Sequence, residues 1–291
     1  MSTPVADRLA QEAQTILEKR IADNQLALPP PPSVVMKAMA LLRDPSFSPK
    51  DASSLIERDV VIAARVLRAA GQVQNNGGEK PRSLPQALTR LGTERLRTVL
   101  SEASTHRLFE SRDQRIVDAT RGLWEHALAV AMLSRDVAAL CGVAETEAAY
   151  LAGLLHDLGK PVVAWLLLEA EKSVVGTRTN VWIDPEVWIE VINRVHRPIG
   201  VAVAAKWGLP ESVTSAIQDC AEYNGTDRLS VPNCVRFANA LVKREGLYVG
   251  KFDASDIDAL VMIGRSLLGI DDSVLSRLTG GMTERVRMLM G

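Results

Sequence analysis

The sequence predicts an all-α protein, and three observations carry that reading. Apolar residues recur at helical spacing from end to end, aromatic residues make up only 4% of the chain, and no segment sustains the period-2 alternation of a strand. Helix starts are also well punctuated. Thr3-Pro4, Ser48-Pro49 and Asp184-Pro185 each pair a side chain able to cap free N–H groups with a proline whose φ suits the first helical position. Gly142, Gly208 and Gly246 fit helix ends, where a left-handed residue closes the last turn.

The elements follow in order. A first helix at about 4–23 carries Leu9, Ala13, Ile16, Leu17 and Ile21 on one stripe, which needs a packing partner. Leu28-Pro29-Pro30-Pro31-Pro32 breaks it, and four consecutive prolines without backbone donors make a stiff spacer. Short helices are expected at 33–43, 49–57, 60–70 and 85–91 and a longer one at 94–110, with Asn75-Asn76-Gly77-Gly78 as a turn. From about 112 the helices lengthen, and Leu123 to Leu140 is amphipathic up to Cys141-Gly142. Val174 to Asn180 is the least helical stretch and reads as a surface loop. The chain therefore divides into an amphipathic helix (1–25), an N-terminal helical subdomain (26–111) and a second helical subdomain (112–291).

Composition narrows the function. A hydrophobic fraction of 47% over 291 residues supplies a substantial core. The 34 basic and 35 acidic residues nearly cancel to a charge of -1, so no global field favours nucleic acid or an anionic membrane, and Arg90, Arg95 and Arg97 form only a local cluster. Cys141, Cys220 and Cys234 lack C-x-x-C spacing, which points to reduced thiols rather than a disulfide framework or thiolate zinc site. Met1 to Glu12 lacks the pattern of a signal peptide, and the apolar run Val162 to Leu168 is too short for a bilayer. A cytoplasmic location is the expectation.

The candidate chemistry lies with the four histidines, at 106, 126, 156 and 196. In Leu154-Leu155-His156-Asp157-Leu158-Gly159-Lys160 an imidazole and a carboxylate adjoin at the end of an apolar helix, with Gly159 read as its stop. There both side chains could reach one cation, whereas inside a helix they would diverge by roughly 100°. His126 lies on the small-residue helix Trp124 to Val130, where a polar ring is costly without a partner. A metal would satisfy these groups, and so would hydrogen bonds within a relic polar cluster. The five tryptophans, Trp124, Trp165, Trp182, Trp188 and Trp207, read as packing, and His106 as an ordinary surface or helix-end residue.

Trp124-x-His126, the block from Leu151 to Lys160, and His196-Arg197-Pro198-Ile199-Gly200 before Trp207-Gly208-Leu209-Pro210 resemble successive landmarks of the HD superfamily, in particular the HDOD family. Leu28-Pro29-Pro30, Ile56-Glu57-Arg58-Asp59, Ala64 to Arg68 and Ala87-Leu88-x-x-Leu91-Gly92 resemble the N-terminal HDOD pattern. The resemblance implies an all-helical fold and, in catalytic relatives, a metal-dependent phosphohydrolase site. It departs where catalytic HD-GYP relatives carry paired histidines, here Cys220 and Ala221, and where HD enzymes carry a closing aspartate, here Asn239. What remains of the implied ligand set is His126, His156, Asp157 and His196 around one transition-metal ion (iron, manganese, nickel or zinc), with Lys160 resembling a phosphate-contacting residue. Two readings follow. One is a non-enzymatic bacterial signal-transduction module that binds a protein partner or a nucleotide-type effector through a degenerate pocket; the other is a metal-dependent phosphohydrolase acting on a nucleotide or cyclic dinucleotide.

Overall fold

A computed structural model describes residues 48–57, 60–73, 83–109, 117–175, 185–207, 211–218 and 222–290, with isolated positions elsewhere. Among the described residues every regular element is a helix, and no strand occurs. The chain separates into two compact units, one over Pro29–Leu108 and the other taking in Phe109–Gly291.

The first unit contains α1 (Pro49–Ile56), α2 (Val60–Gln72) and nearly all of α3 (Leu84–Phe109). Its start follows the expected chemistry, with Ser48 Oγ accepting from the Asp51 N–H at 3.2 Å and Pro49 in the first turn. The core joins Ile56, Ile62, Val66, Leu88, Leu96 and Leu100. Gly92, at φ 71° and ψ 171°, breaks α3 into two pieces, as the separate helices expected at 85–91 and 94–110 require.

The second unit is built on α4 (Val117–Cys141), followed by α5 (Thr146–Leu155), α6 (Gly159–Val175), α7 (Pro185–Trp207), α8 (Glu211–Gln218), α9 (Val231–Arg244), α10 (Ala254–Leu268), α11 (Asp272–Thr279) and α12 (Met282–Met290). Ala127 to Leu133 are buried without a break, so α4 is covered on all sides, by α5, α9 and α12 among others. Gly142, at φ 76°, ends it, and its small residues let neighbours approach closely. A Cβ on Gly153 of α5 would stand 2.7 Å from Ser134 Oγ and 2.9 Å from the Val130 carbonyl oxygen, so glycine sets the distance between α5 and α4.

Several expectations need correction. Gly159 does not end a helix; it begins α6, and it has no positive φ. Its role is steric, since a Cβ there would collide with the carbonyl oxygen of His196 on α7. Val174 and Val175 are the last residues of α6 rather than part of a loop, because the helical pattern of that segment continues to them. Trp124 and Trp188 are buried, but Trp165 is 36% exposed on the outer side of α6 and is not a core anchor. Most of the helix at 4–23, the proline run, Asn75 to Gly78, Gly176 to Asn180, Gly208, Cys220, Ala221 and the side chains of His106, Trp182 and Trp207 lie outside the described residues.

Thr146–Leu168 is the one described stretch long and apolar enough to cross a bilayer, and 78% of its apolar window is buried inside the protein. Core packing accounts for its composition.

Candidate metal centre

Four segments meet around Asp157. His126 comes from the middle of α4, His156 and Asp157 from the turn that links α5 to α6, Lys160 from the first turn of α6, and His196 from α7. Gly153 and Gly159 make this possible. Gly153 brings α5 against α4, so that His156 and His126 lie with ring centroids 5.3 Å apart, and Gly159 lets α7 carry His196 up to the same carboxylate.

Each imidazole is anchored through the same nitrogen. Nδ1 of His126 lies 2.7 Å from the Leu247 carbonyl oxygen, Nδ1 of His156 2.7 Å from that of Gly153, and Nδ1 of His196 2.8 Å from that of Asn193. A carbonyl oxygen only accepts, so each Nδ1 carries its proton and donates it. In a neutral ring Nε2 is then a bare lone pair. All three Nε2 atoms face the carboxylate, His126 at 3.7 Å and His156 at 3.3 Å from Asp157 Oδ2, and His196 at 3.3 Å from Oδ1.

The electrostatics sharpen the point. Burial pushes the His126 imidazole well below its ordinary pKa, with His156 adding to the effect, and burial likewise lowers His196. Burial alone would raise the Asp157 carboxyl, but His156 and Lys160 beside it outweigh that and hold it well below the usual range. The neutral rings of His126 and His196 therefore aim Nε2 lone pairs at an ionised carboxylate, which is acceptor facing acceptor. Consistent with this, Nε2 of His126 and of His156 are buried with no hydrogen-bond partner.

A cation resolves that conflict, and the donor set suits a transition metal: neutral imidazoles and a carboxylate, with the distal ring nitrogens bonded to backbone oxygens. Ligand atoms of His126, His156 and Asp157 all lie within 4.8 Å of one another, the spacing of groups around one ion. His196 approaches the other oxygen of the same carboxylate. The residues fit such an ion.

Two contributors were not legible in the sequence. Gly246, at φ 83°, turns the chain after α9 so that Leu247 offers its carbonyl to His126 and Tyr248 its ring. That ring lies edge-on to His126 at 5.3 Å, and Lys160 Nζ sits 4.8 Å from its centroid. The Tyr248 hydroxyl donates to Asn193 Oδ1 at 3.3 Å, joining this segment to α7. Only the helix-ending glycine hinted at it. Lys160 itself is 2% exposed, with Nζ 2.5 Å from Asp157 Oδ2 in an ion pair.

The helical architecture and this cluster define a protein of the HD class in its broad sense. More narrowly, the sequence pattern of the HDOD domain matches residues 28–223, and the chain belongs to that family. An uncharacterised protein of Treponema pallidum (strain Nichols) is 26% identical over 210 residues, which is 72% of this chain and 40% of that protein. The chain therefore matches well under half the length of that relative. A crystal structure provisionally named a metal-dependent phosphohydrolase, from Shewanella amazonensis SB2B, superposes with a TM-score of 0.76 at 19% identity, covering 96% of this chain and 98% of the other. An HDOD domain protein of unknown function from Geobacter sulfurreducens gives 0.65 at 21% identity, with 96% and 98% covered. A provisionally named signal transduction protein from Marinobacter aquaeolei VT8 gives 0.54 at 19%, with 94% and 66% covered. At these identities the structures establish the shared fold.

Proposed function

We propose that this chain is a non-enzymatic, cytoplasmic regulatory module of bacterial signalling that binds a protein partner or a small nucleotide-type effector. In this reading the cluster of His126, His156, Asp157 and His196 holds one transition-metal ion as part of the fold. The observation that carries it is burial: His126 and His156 are 1% exposed, Lys160 2%, and Asp157 and His196 8% each. A hydrolase must admit a phosphate ester and a water to its metal, whereas these groups are buried against one another, with the His126 and His156 ring centroids 5.3 Å apart and both rings facing Asp157. Charge supports the same conclusion. Asp157 is the one carboxylate of the set, its charge already answered by Lys160, and Asn239 brings no second one. A metal there would supply positive charge to order the ligands, while in-line phosphoryl transfer needs cations fixed by anionic groups and a positioned nucleophile.

The fold relatives include proteins provisionally named for signal transduction and for phosphohydrolysis, so the rival reading has a direct test. Purified protein is supplied with manganese, iron or nickel and offered cyclic dinucleotides and simple phosphate monoesters, beside a His156→Ala/Asp157→Ala control. The expected result is no turnover above that control. Multiple turnovers by the native protein and none by the control would replace this reading with an enzyme.

A further inference from the structure

We propose that Lys160 is a built-in cation that competes with the metal for Asp157, so that loading the site expels the lysine and releases the segment from Leu247 to Phe252. This rests on the reading that the cluster holds a metal. It adds that the metal-free state has its own counter-ion and that the two states differ in the Tyr248 segment.

The argument begins with which oxygen the lysine uses. Asp157 Oδ2 is the atom that faces both His126 and His156, at 3.7 and 3.3 Å, and it is the carboxylate atom any ion shared with those rings would bind. Lys160 Nζ lies 2.5 Å from that same Oδ2, and His196 takes Oδ1. A divalent ion and an ammonium on one oxygen would put three positive charges beside a single negative one, among neutral imidazoles and out of water. Like charges that close repel strongly where the dielectric is low. One of them must leave.

The lysine is the one poised to do so. It stands in the first turn of α6, where the helix dipole disfavours a cation, so Asp157 is what retains it. It also lies 4.8 Å from the Tyr248 ring centroid and donates a side-chain hydrogen bond to Tyr248, contacts that a side-chain rotation can break. Tyr248 in turn packs edge-on against Phe252 at 5.7 Å, and Lys243 Nζ lies 4.6 Å from the same ring, so movement of the ring is felt along the whole turn. Leu247, next in the chain, holds His126 by its carbonyl. Departure of the ammonium therefore removes one support from a segment that also positions a metal ligand.

The test uses cobalt(II) as the probe, because its visible spectrum reports coordination, with the full chain, Lys160→Met, Tyr248→Leu and the His156→Ala/Asp157→Ala control. Lys160→Met removes the competing charge and is expected to bind cobalt at least about tenfold more tightly than the native protein. Its Tm is expected to rise more on loading. In the native protein, loading should speed amide exchange across 247–252, and Lys160→Met should show that fast exchange without metal. Equal or weaker affinity in Lys160→Met overturns the proposal, because it would mean that Lys160 supports the carboxylate for the metal. If Lys160→Met does not fold, Tyr248→Leu decides: tighter binding supports competition and unchanged or weaker binding overturns it. Cobalt that binds equally well to the control overturns the metal-holding reading itself, and this inference with it. That result is distinct from the one in which the native site binds and the lysine variant binds no better.

Discussion

Asn233 on α9 and His126 on α4 are both polar, both almost wholly inaccessible, and belong to helices that pack on each other, yet their surroundings are opposite in kind. Asn233 is fully bonded. Its Nδ2 donates to the carbonyl oxygens of Asn224, Asp227 and Arg228 at 2.9 to 3.2 Å, and its Oδ1 accepts from the Asn224 N–H at 2.9 Å. It staples the 224–228 segment to α9 and has nothing left to offer. His126 is bonded on one side only, and its Nε2, like that of His156, looks into the protein without a hydrogen-bond partner. Leaving a buried polar atom unbonded costs free energy. In this pair the contrast is between a side chain whose bonding is complete, which is a structural staple, and a ring with a coordinating nitrogen to spare.

The largest expected effect comes from Asp157→Ala. It leaves the buried Lys160 ammonium without its partner and removes the one anionic ligand, so denaturant unfolding should show a loss of about 3–5 kcal/mol. Metal stoichiometry should fall to background. Full occupancy in this variant would move the ion away from the cluster and dissolve the contrast with Asn233.

Asn233→Ala should cost about 2 kcal/mol, because it strands the Asn224 N–H and the carbonyls it now serves. Metal content should not change. A loss of metal here would show that the staple and the cluster are one cooperative device rather than two.

The smallest effect is in pH. His126 and His196 have folded pKa values below the ordinary imidazole value, so in metal-free protein the unfolded chain takes up protons near pH 6.5 while the folded rings do not. Stability should be flat above about that pH and fall below it. Asp157, also depressed, keeps its contribution above its unfolded value of roughly 3.9 and loses it only in stronger acid. Urea midpoints measured from pH 8 to 5 give the curve. Asn233→Ala should shift it down without changing its shape, whereas a curve that stays flat to pH 5 would mean that the rings are protonated in the folded protein too.

Much of the fold is legible in the sequence, because helix periodicity and caps are local. Ser48-Pro49 sets the start of α1, Gly92 divides α3 and Gly142 ends α4, each through the conformation of a few neighbouring residues. Gly159 escapes that local logic, which would make it a helix stop. Its reason for being glycine is the carbonyl of His196, 37 positions along the chain, and no local rule reports a contact at that range.

The sequence by itself determined that the protein is helical and that it resembles HDOD proteins, and through that resemblance it singled out His126, His156, Asp157 and His196 as the candidate ligand set, since residue type and order are enough for each. Only the tertiary structure decided that these groups converge on one carboxylate, that their Nδ1 protons are spent on backbone carbonyls and that Tyr248 closes over Lys160. Those facts depend on how closely α4, α5, α6 and α7 approach one another. Side-chain volume across distant segments sets that approach, and a one-dimensional pattern does not encode it.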